Sequence, residues 1–362
     1  MIIQGKYNTA NVHAETIEPQ VINQIREFLN TDLAEGSEIH IMPDTHSGKG
    51  CVVGFTMTIT GKVCPNLVGV DVGCSLTGIK LPNDIQIQPE VFLEACKKIP
   101  AGVGNNAGRP PKFVDVSEIG LDRLTFEIRK PKTVTDSIGS LGSGNHFIEL
   151  NTDGQNQFIV IHTGSRNLGQ QVCGYHMKVA KTDHSRGDLS YLTGKNLDNY
   201  LNDMTICQKY AQANHKEIYS TLLKELGIRV CKCEIFTTMH NYIDFNDHIL
   251  RKGAISCQKG KKVLIPFNMR DGSVIGIGKG NPEWNFSGPH GAGRILSRTQ
   301  AKELISLEDF QESMRGIVGT VCLETIDEAP MVYKDAKEIE KQLEETVEIT
   351  NHLKVLGNFK GV

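Results

Sequence analysis

Two neighbouring segments, each joining a turn of small residues to a β-prone run, constrain the fold more than any other part of the chain. Residues 139–150 read GSLGSGNHFIEL, and residues 158–166 read FIVIHTGSR. The first predicts a short strand after a glycine loop with His146 at the junction, and the second predicts a buried strand ending at His162. In α/β proteins ligands and metals are held at strand ends, because the loops there stand on a rigid base. We therefore expect an α/β fold that holds a metal and a phosphate in one pocket.

The rest of the chain alternates between helical and strand patterns. Apolar residues recur at helical spacing over residues 18–30, 89–98, 198–226 and 335–346. Strand patterns cover residues 38–42, 52–60, 235–240 and 263–266, and we also interpret the apolar run at 66–75 as a strand. A length of 362 residues allows roughly two domains, but the sequence contains no convincing linker or internal repeat. We expect one interlocked domain over residues 1–362, with mixed β-sheets flanked by helices.

Composition and charge limit the class of protein and the compartment in which it is expected. The net charge of −3 weighs against a protein that coats nucleic acid, although an enzyme that grips one RNA end needs only a local basic patch. The N-terminus lacks the apolar core of a signal peptide, and no apolar run approaches the ~18 residues of a membrane span. The ten cysteines include no Cys-x-x-Cys pair, which favours free thiols in a reducing compartment. We expect a cytoplasmic monomer.

A carboxylate and a thiol close together in the apolar run at 66–75 indicate a metal site. A buried Asp71 is costly unless it is paired or bound to a cation, and Cys74 can reach the same ion past a glycine. Either residue alone is better explained as a turn residue or a core thiol. Together with His146, His162 and His240 at predicted strand ends, they form a mixed oxygen, sulfur and nitrogen donor set. Such a set suits Zn, Mn, Fe or Co, and ligand type does not choose among them.

Most of the twelve histidines have a simpler explanation. We expect surface or hydrogen-bonded roles for a group in polar or helical settings, namely His13, His176, His184, His215, His248 and His352. His40 alternates on a predicted strand and is expected to pack there. His46 lies in a glycine-rich loop beside Asp44 and could contact the metal ligands rather than the metal itself.

Two glycine loops, at residues 139–144 and 287–294, indicate a phosphate site. Glycine exposes backbone N–H groups that can bind anions, and Arg166 or Arg294 can form paired hydrogen bonds with phosphate oxygens. Neither loop is a Walker A motif or a dinucleotide fingerprint, so the loops alone are weak signals. His290 lies inside the second loop, where an imidazole could act as a covalent nucleophile toward phosphorus.

Short motifs spread from residue 43 to the C-terminus resemble those of the RtcB family of RNA-splicing ligases. They are NLVGVDVGC at 66–74, LGSGNHFIE at 141–149, IHTGSR at 161–166, HN at 240–241, RKGA at 251–254, HGAGR at 290–294, DEAP at 327–330 and KG at 360–361. The resemblance implies an enzyme that joins RNA 3′-phosphate or 2′,3′-cyclic phosphate ends to 5′-hydroxyl ends, in tRNA splicing or RNA repair. It implies GTP and two Mn²⁺ ions as cofactors, RNA ends as partners and no membrane.

The resemblance also implies roles for individual residues. Cys74 would bridge both metals, with Asp71 and His146 completing one site and His162 and His240 the other. His290 would carry GMP, and Glu149 would accept hydrogen bonds from guanine N1–H and N2–H, which explains the use of GTP over ATP. The full nucleotide-binding set would be Asn145, His146, Phe147, Glu149, His240, Asn241, Asn268, Ser273, His290, Gly291, Ala292, Gly293, Arg294, Tyr333 and Lys360.

Three motifs depart from the family pattern, and the chain is short for the family. Residues 73–76 read GCSL where GCGM is usual, 166–170 read RNLGQ where RGLGH is usual, and 266–269 read PFNM where PGSM is usual. The last change puts Asn268 where a serine contacts the nucleotide. These differences bear on the choice of RNA more than on the chemistry.

Two other functions compete with RNA ligation. A binuclear metallophosphoesterase acting on nucleotide or RNA phosphates could use the same metal ligands, but it gives no role to the His290 loop or to a guanine-reading Glu149. A non-catalytic relative could bind RNA or nucleotides, but it would have no need to keep five metal ligands and a nucleophile.

Overall fold

The chain folds around two large β-sheets in a computed structural model that describes residues 1–102 and 109–361. The strands are β1 (Ile2–Gln4), β2 (Thr9–Val12), β3 (Ile39–His46), β4 (Val53–Thr58), β5 (Ser75–Lys80), β6 (Phe147–Thr152), β7 (Gln157–Thr163), β8 (Glu234–Met239), β9 (Asn241–Asp244), β10 (Ile249–Lys252), β11 (Ala254–Ser256), β12 (Lys262–Asn268), β13 (Gly272–Gly278), β14 (Ser287–Pro289), β15 (Val318–Gly319) and β16 (Val347–Phe359). A six-stranded sheet has the order β1-β2-β3-β4-β10-β9, and an eight-stranded sheet has the order β12-β13-β16-β6-β7-β5-β8 with β15 beside β16. β11 and β14 form a separate pair.

Helices flank the sheets. The periodicity predicts those near residues 18–30, 89–98, 198–226 and 335–346, but not the other four that the structure describes. The helices are α1 (Pro19–Leu29), α2 (Pro89–Cys96), α3 (Pro131–Asp136), α4 (Arg166–Asp183), α5 (Gly194–Glu225), α6 (Arg298–Leu304), α7 (Leu307–Ser313) and α8 (Ala336–Leu343). The mixed α/β architecture is therefore confirmed. Within the described residues, no helix is both long enough and apolar enough to cross a membrane.

The β-prone run that follows the glycine loop at 139–144 and the run that begins at residue 158 form the antiparallel pair β6–β7 at the centre of the larger sheet. In this register Phe147 lies opposite His162, while Ser75 on β5 lies opposite Thr163 on one side and Met239 on the other. Because neighbouring strands run in opposite directions, the starts of β5 and β6 and the ends of β7 and β8 meet at one edge of the sheet. The residues just before or at these strand ends are thereby brought together.

The interpretation of residues 66–75 as a strand is wrong. A 3₁₀ turn occupies Pro65–Leu67, and β5 begins only at Ser75. Gly69 and Gly73 adopt φ values of 96° and 75°, which L-residues rarely reach and which interrupt any extended run. Asp71 consequently lies in a turn, with its side chain 30% exposed rather than enclosed in a sheet. Sequence patterning missed this because the apolar residues of the run are buried in a loop.

Two helical histidines are buried, so the surface role considered for them is wrong and the hydrogen-bonded one holds. His215 on α5 is 2% exposed, and its ring nitrogens lie 3.0 Å from the Ser75 hydroxyl and 2.9 Å from that of Thr77. His176 on α4 is 1% exposed and lies 2.7 Å from Asp203 of α5. Asp203 also accepts hydrogen bonds from the backbone N–H and the hydroxyl of Thr125, at 2.9 and 2.6 Å. This carboxylate therefore ties two helices and a loop together.

Replacing Asp203 by Asn should lower the free energy of unfolding by about 3 kcal/mol, because a buried pair loses one charged partner. Asp198→Asn on the exposed face of the same helix is the matched control and should change stability by less than about 0.5 kcal/mol. Urea unfolding followed by circular dichroism measures both. Equal stability of the two variants would show that the Asp203 contacts contribute nothing.

Candidate metal centre and nucleotide cavity

The sheet edge formed by β5 to β8 carries the five predicted metal ligands. Cys74 directly precedes β5 and His146 directly precedes β6, while His162 lies near the end of β7 and His240 directly follows β8. Asp71 approaches from the turn before Cys74. Donor atoms of Asp71, Cys74 and His146 lie within 4.8 Å of one another, and so do those of Cys74, His162 and His240. Cys74 belongs to both groups, which is the arrangement that the resemblance implies.

The donor atoms converge at close range. The Cys74 Sγ lies 3.5 Å from the His146 Nε2 and 3.2 Å from the His162 Nε2. The His162 Nε2 lies 3.3 Å from the His240 Nε2, and the His146 Nε2 lies 2.9 Å from the Asp71 Oδ2. The five side chains end in the same small space, and each of them can donate an electron pair to a cation.

Hydrogen bonds on the far side of the rings set which nitrogen faces the cluster. The His146 Nδ1 lies 3.0 Å from the Leu141 carbonyl oxygen, and the His162 Nδ1 lies 3.0 Å from that of Asn145. A carbonyl only accepts, so each Nδ1 carries the proton, and in the neutral ring each Nε2 presents a lone pair. Lone pairs that face one another and a sulfur atom repel unless a cation lies between them. The residues therefore fit a metal centre.

The burial of His162 and His240 favours the neutral form of each ring, which is the form that binds a metal. Burial lowers the pKa of His162 and of His240 well below the usual value, so both rings are neutral and able to bind a metal. Burial and the nearby Asp71 raise the pKa of Cys74, a direction that a bound cation reverses.

Arg166 supports the same cluster from α4. Its backbone adopts a φ of 54°, which is strained for a residue with a side chain. The guanidinium passes beneath the glycine loop, where Nη1 lies 3.4 Å from the His146 Nδ1 and Nε lies 3.3 Å from the Ser140 hydroxyl. Gly142 leaves room for it, since a Cβ at that position would collide with the guanidinium. A half-buried cation with two long contacts therefore lies beside the candidate metal donors.

His290 follows β14 and is held by Asp44 of β3. The Asp44 Oδ2 accepts hydrogen bonds from the His290 Nδ1 at 2.6 Å, from its backbone N–H at 3.0 Å and from the Gly291 N–H at 3.3 Å. This arrangement places the ring proton on Nδ1 and leaves the Nε2 lone pair available. The His290 ring lies 5.0 Å from that of His240. In the sequence, Asp44 stands out only as a neighbour of His46, because 246 residues separate it from His290.

A cavity of about 280 Å³ opens beside this histidine. Its wall includes His162 of the donor cluster as well as His290, so the metal centre and the candidate nucleophile share one space. Of the residues predicted to bind nucleotide, those in the wall are Asn145, Phe147, Glu149, Asn268, His290, Gly291, Ala292, Gly293, Arg294, Tyr333 and Lys360.

Glu149 is a buried carboxylate in the wall of this cavity. It is 2% exposed, and it accepts hydrogen bonds from the Asn358 amide at 2.7 Å and the Asn151 amide at 3.4 Å. Burial raises its pKa to about 7, although both amides and the charge of Lys360 act in the opposite direction. The group can therefore change protonation near neutral pH.

Arg294, Tyr333 and Lys360 share one partner, Glu328. The Arg294 Nη1 lies 3.1 Å and the Tyr333 hydroxyl 2.5 Å from this carboxylate, and the Lys360 ammonium lies 3.5 Å from it. The other nitrogens of Arg294 donate to the carbonyl oxygens of Leu296 and Asp327. The guanidinium expected to bind phosphate is thus already engaged with protein groups.

Several predicted nucleotide residues lie outside the cavity wall. His146 and His240 belong to the donor cluster. Asn241 supports the turn before Cys74, because its amide donates to the Asp71 carbonyl at 3.3 Å and accepts from the Gly253 N–H at 2.8 Å. Ser273 is 1% exposed and pairs with Pro266 in the hairpin β12–β13.

Asn268, one of the departures from the family pattern, reaches the cavity but uses its side chain elsewhere. The amide oxygen accepts from the Arg270 and Asp271 N–H groups at 3.0 and 2.9 Å, and the amide nitrogen donates to the Asp271 carboxylate at 2.7 Å. The side chain therefore closes the turn between β12 and β13.

Other wall residues had no assigned role from sequence. They are Pro266, Phe267, Met269, Arg298, Glu328 and Asn358; His46, for which the sequence predicts a supporting role beside the ligands, also lies in the wall. The DEAP and KG motifs lie at or near two of them and could have drawn attention to Glu328 and Asn358. Nothing local in the sequence indicates that Arg298 or Phe267 reaches the same space.

Comparisons with known proteins agree with this site. A sequence profile described as tRNA-splicing ligase RtcB matches residues 30–125 and 120–361. The chain is similar to the RNA-splicing ligase RtcB of Escherichia coli K12, with 31% identity covering 89% of this chain and 90% of the relative. It also resembles the tRNA-splicing ligase RtcB of Nanoarchaeum equitans, at 26% identity over 89% and 86%, and the RNA-splicing ligase RtcB of Mycobacterium tuberculosis, at 27% over 83% and 91%. The chain therefore belongs to the RtcB family of RNA ligases.

Proposed function

We propose that this ligase uses GTP and two Mn²⁺ ions to join RNA 3′-phosphate or 2′,3′-cyclic phosphate ends to 5′-hydroxyl ends, acting as a cytoplasmic monomer in tRNA splicing or RNA repair. The observation that carries the proposal is the shared cavity. One cavity of about 280 Å³ is bounded by His162 of the donor cluster, by His290 with its proton held on Nδ1, and by the buried carboxylate of Glu149. This combination serves nucleotidyl transfer, and a phosphoesterase would use only the donor cluster.

In the proposed reaction His290 supplies the attacking atom. Its Nε2 forms a bond to the α-phosphorus of GTP, and the bond from that phosphorus to pyrophosphate breaks. Asp44 stabilises the ring as it becomes cationic, because its carboxylate accepts the hydrogen bond from Nδ1–H throughout. An oxygen of the RNA 3′-phosphate then attacks the same phosphorus, and the N–P bond to His290 breaks. The 5′-hydroxyl finally attacks the RNA phosphorus, its proton passes to solvent, and the bond from that phosphorus to the oxygen of GMP breaks.

The donor cluster would hold the two ions, with Asp71, Cys74 and His146 around one and Cys74, His162 and His240 around the other. Bound divalent ions would neutralise negative charge on the phosphates. Manganese among the borderline metals is part of the proposal, since the donor set by itself suits several of them.

Cys74→Ala should empty both metal sites, because its sulfur belongs to both donor groups, whereas His240→Ala should weaken mainly one. Metal content per chain, measured by mass spectrometry of the purified variants, tests the difference. Cys96→Ala is the matched control, since it removes another fully buried thiol from α2, away from the cluster. Full metal occupancy in Cys74→Ala would exclude the bridging role.

GTP with Mn²⁺ and no RNA should yield a GMP adduct on His290 that is labile in acid and stable in alkali, as a phosphoramidate is. The adduct should be missing in His290→Ala, which should keep its metal, and present in His352→Ala, a variant of an exposed histidine on β16. Peptide mapping of radiolabelled protein locates it. A label on lysine, or an undiminished label in His290→Ala, contradicts the mechanism, and a metallophosphoesterase would form no adduct at all.

Glu149→Gln should reduce GTP use and relax discrimination against ATP, because one acceptor becomes a donor that faces the guanine donors. Loss of such a charge-assisted contact costs roughly 1.5–3 kcal/mol. Competition between GTP and ATP in the adduct assay measures the change, and Glu348→Gln, which changes an exposed carboxylate on β16, is the control. Unchanged discrimination would mean that another group reads the base.

The preference of the wild-type protein for GTP should also decrease as the pH falls below about 7. Burial raises the pKa of Glu149 to about 7, so the carboxylate that accepts from guanine is lost as the pH falls through this value. The ratio of GTP to ATP use between pH 6 and pH 8 measures this. A ratio independent of pH would contradict titration of Glu149 in the free enzyme.

A further inference from the structure

Glu328 is a buried carboxylate in the cavity that the proposed chemistry leaves without a role. It ends the 3₁₀ helix Leu323–Glu328 and is 3% exposed. Two of its contacts are short, to the Tyr333 hydroxyl at 2.5 Å and to the Arg294 Nη1 at 3.1 Å. Both partners lie in the cavity wall. A charge buried to this extent is stable only when it is paired, so these contacts explain how the site tolerates it.

Two further cations lie near the same carboxylate at longer range. The Lys360 ammonium is 3.5 Å away and also donates to the Gly144 carbonyl at 3.0 Å. The Arg298 Nη2 is 3.8 Å away, and its side chain is 57% exposed. Both also lie in the cavity wall. Contacts of this length hold a side chain weakly, so an incoming anion can form an ion pair with either cation in place of Glu328.

Removal of the carboxylate would have two opposing effects on an anionic ligand. It would free positive charge in the cavity, which favours binding. It would also remove the hydrogen bond of the Tyr333 hydroxyl and one of the three hydrogen bonds of the Arg294 guanidinium, which opposes binding. The distances decide between the two effects, because Tyr333 and Arg294 make short hydrogen bonds with Glu328 whereas Lys360 and Arg298 are only loosely paired with it. The positional loss should therefore exceed the gain in charge.

We propose that Glu328 is a positioning residue for nucleotide binding. Its carboxylate holds Tyr333 and Arg294 in the wall of the cavity and keeps Lys360 and Arg298 in loose ion pairs that the nucleotide exchanges for its own anionic groups. This inference rests on the proposed function, because the ligand is taken to be GTP. Glu328 contacts none of the five metal donors, so the metal centre should be independent of it.

The test compares Glu328→Gln, Glu328→Asp and Tyr333→Phe with wild type in the guanylylation assay at a range of GTP concentrations. Glu328→Gln keeps the shape but loses the charge, and should raise the KM for GTP roughly tenfold to a hundredfold with little change in kcat. Tyr333→Phe removes one of the two short contacts and should have a smaller effect. Glu328→Asp keeps the charge and should recover part of the loss. Glu324→Gln removes an exposed charge from the same 3₁₀ helix and should match wild type.

Metal content and thermal unfolding of each variant separate positioning from a general structural role. Normal metal content with a raised KM supports the proposal. An unchanged or lower KM in Glu328→Gln overturns it, and so does a loss of metal and of stability in parallel with activity. If Glu328→Gln does not fold, an unchanged KM in the folded Tyr333→Phe overturns it as well. Failure of the wild-type protein to form any GMP adduct would instead refute the proposed function.

Discussion

The structure depends on electron-pair donors that converge at one edge of an antiparallel sheet. Neighbouring strands run in opposite directions, so Cys74 and His146 enter this edge before their strands while His162 and His240 arrive at the ends of theirs. A register shift of one residue would turn any of these side chains to the other face. Hydrogen bonding across the whole sheet therefore determines the geometry of the cluster.

The second sheet provides the partner of His290, the proposed nucleophile. Asp44 lies on β3, where the register with β4 is interrupted between Ile41 and His46. Irregular pairing of this kind redirects side chains and is frequent next to active sites. The interruption lies next to Asp44, whose carboxylate accepts hydrogen bonds from the backbone N–H and the Nδ1–H of His290. The cavity thus takes its metal donors from one sheet and the group that orients its histidine from the other.

Charges in the cavity are organised by two buried carboxylates with different surroundings. Glu149 has amide partners, and its burial raises its pKa to about 7. Glu328 is surrounded by cations and a phenol, and although burial acts to raise its pKa, the charge of Lys360 and the hydrogen bond from Tyr333 lower it. One carboxylate is therefore suited to recognise hydrogen-bond donors, and the other to hold cations in place.

The sequence by itself determined the α/β class, the central pair of strands, the family and the residues from which a metal and nucleotide site could be formed. These follow from local patterns, since the histidines stand beside glycine loops and at the ends of apolar runs. It did not determine the turn that contains Asp71, because buried loops and buried strands have the same apolar composition. The tertiary structure alone decided that Asp44 holds His290, that Asn268 closes a turn and that Glu328 joins Arg294, Tyr333 and Lys360. Contacts of this kind connect residues that are distant in the chain or choose between equally available partners, and only the packed fold makes that choice.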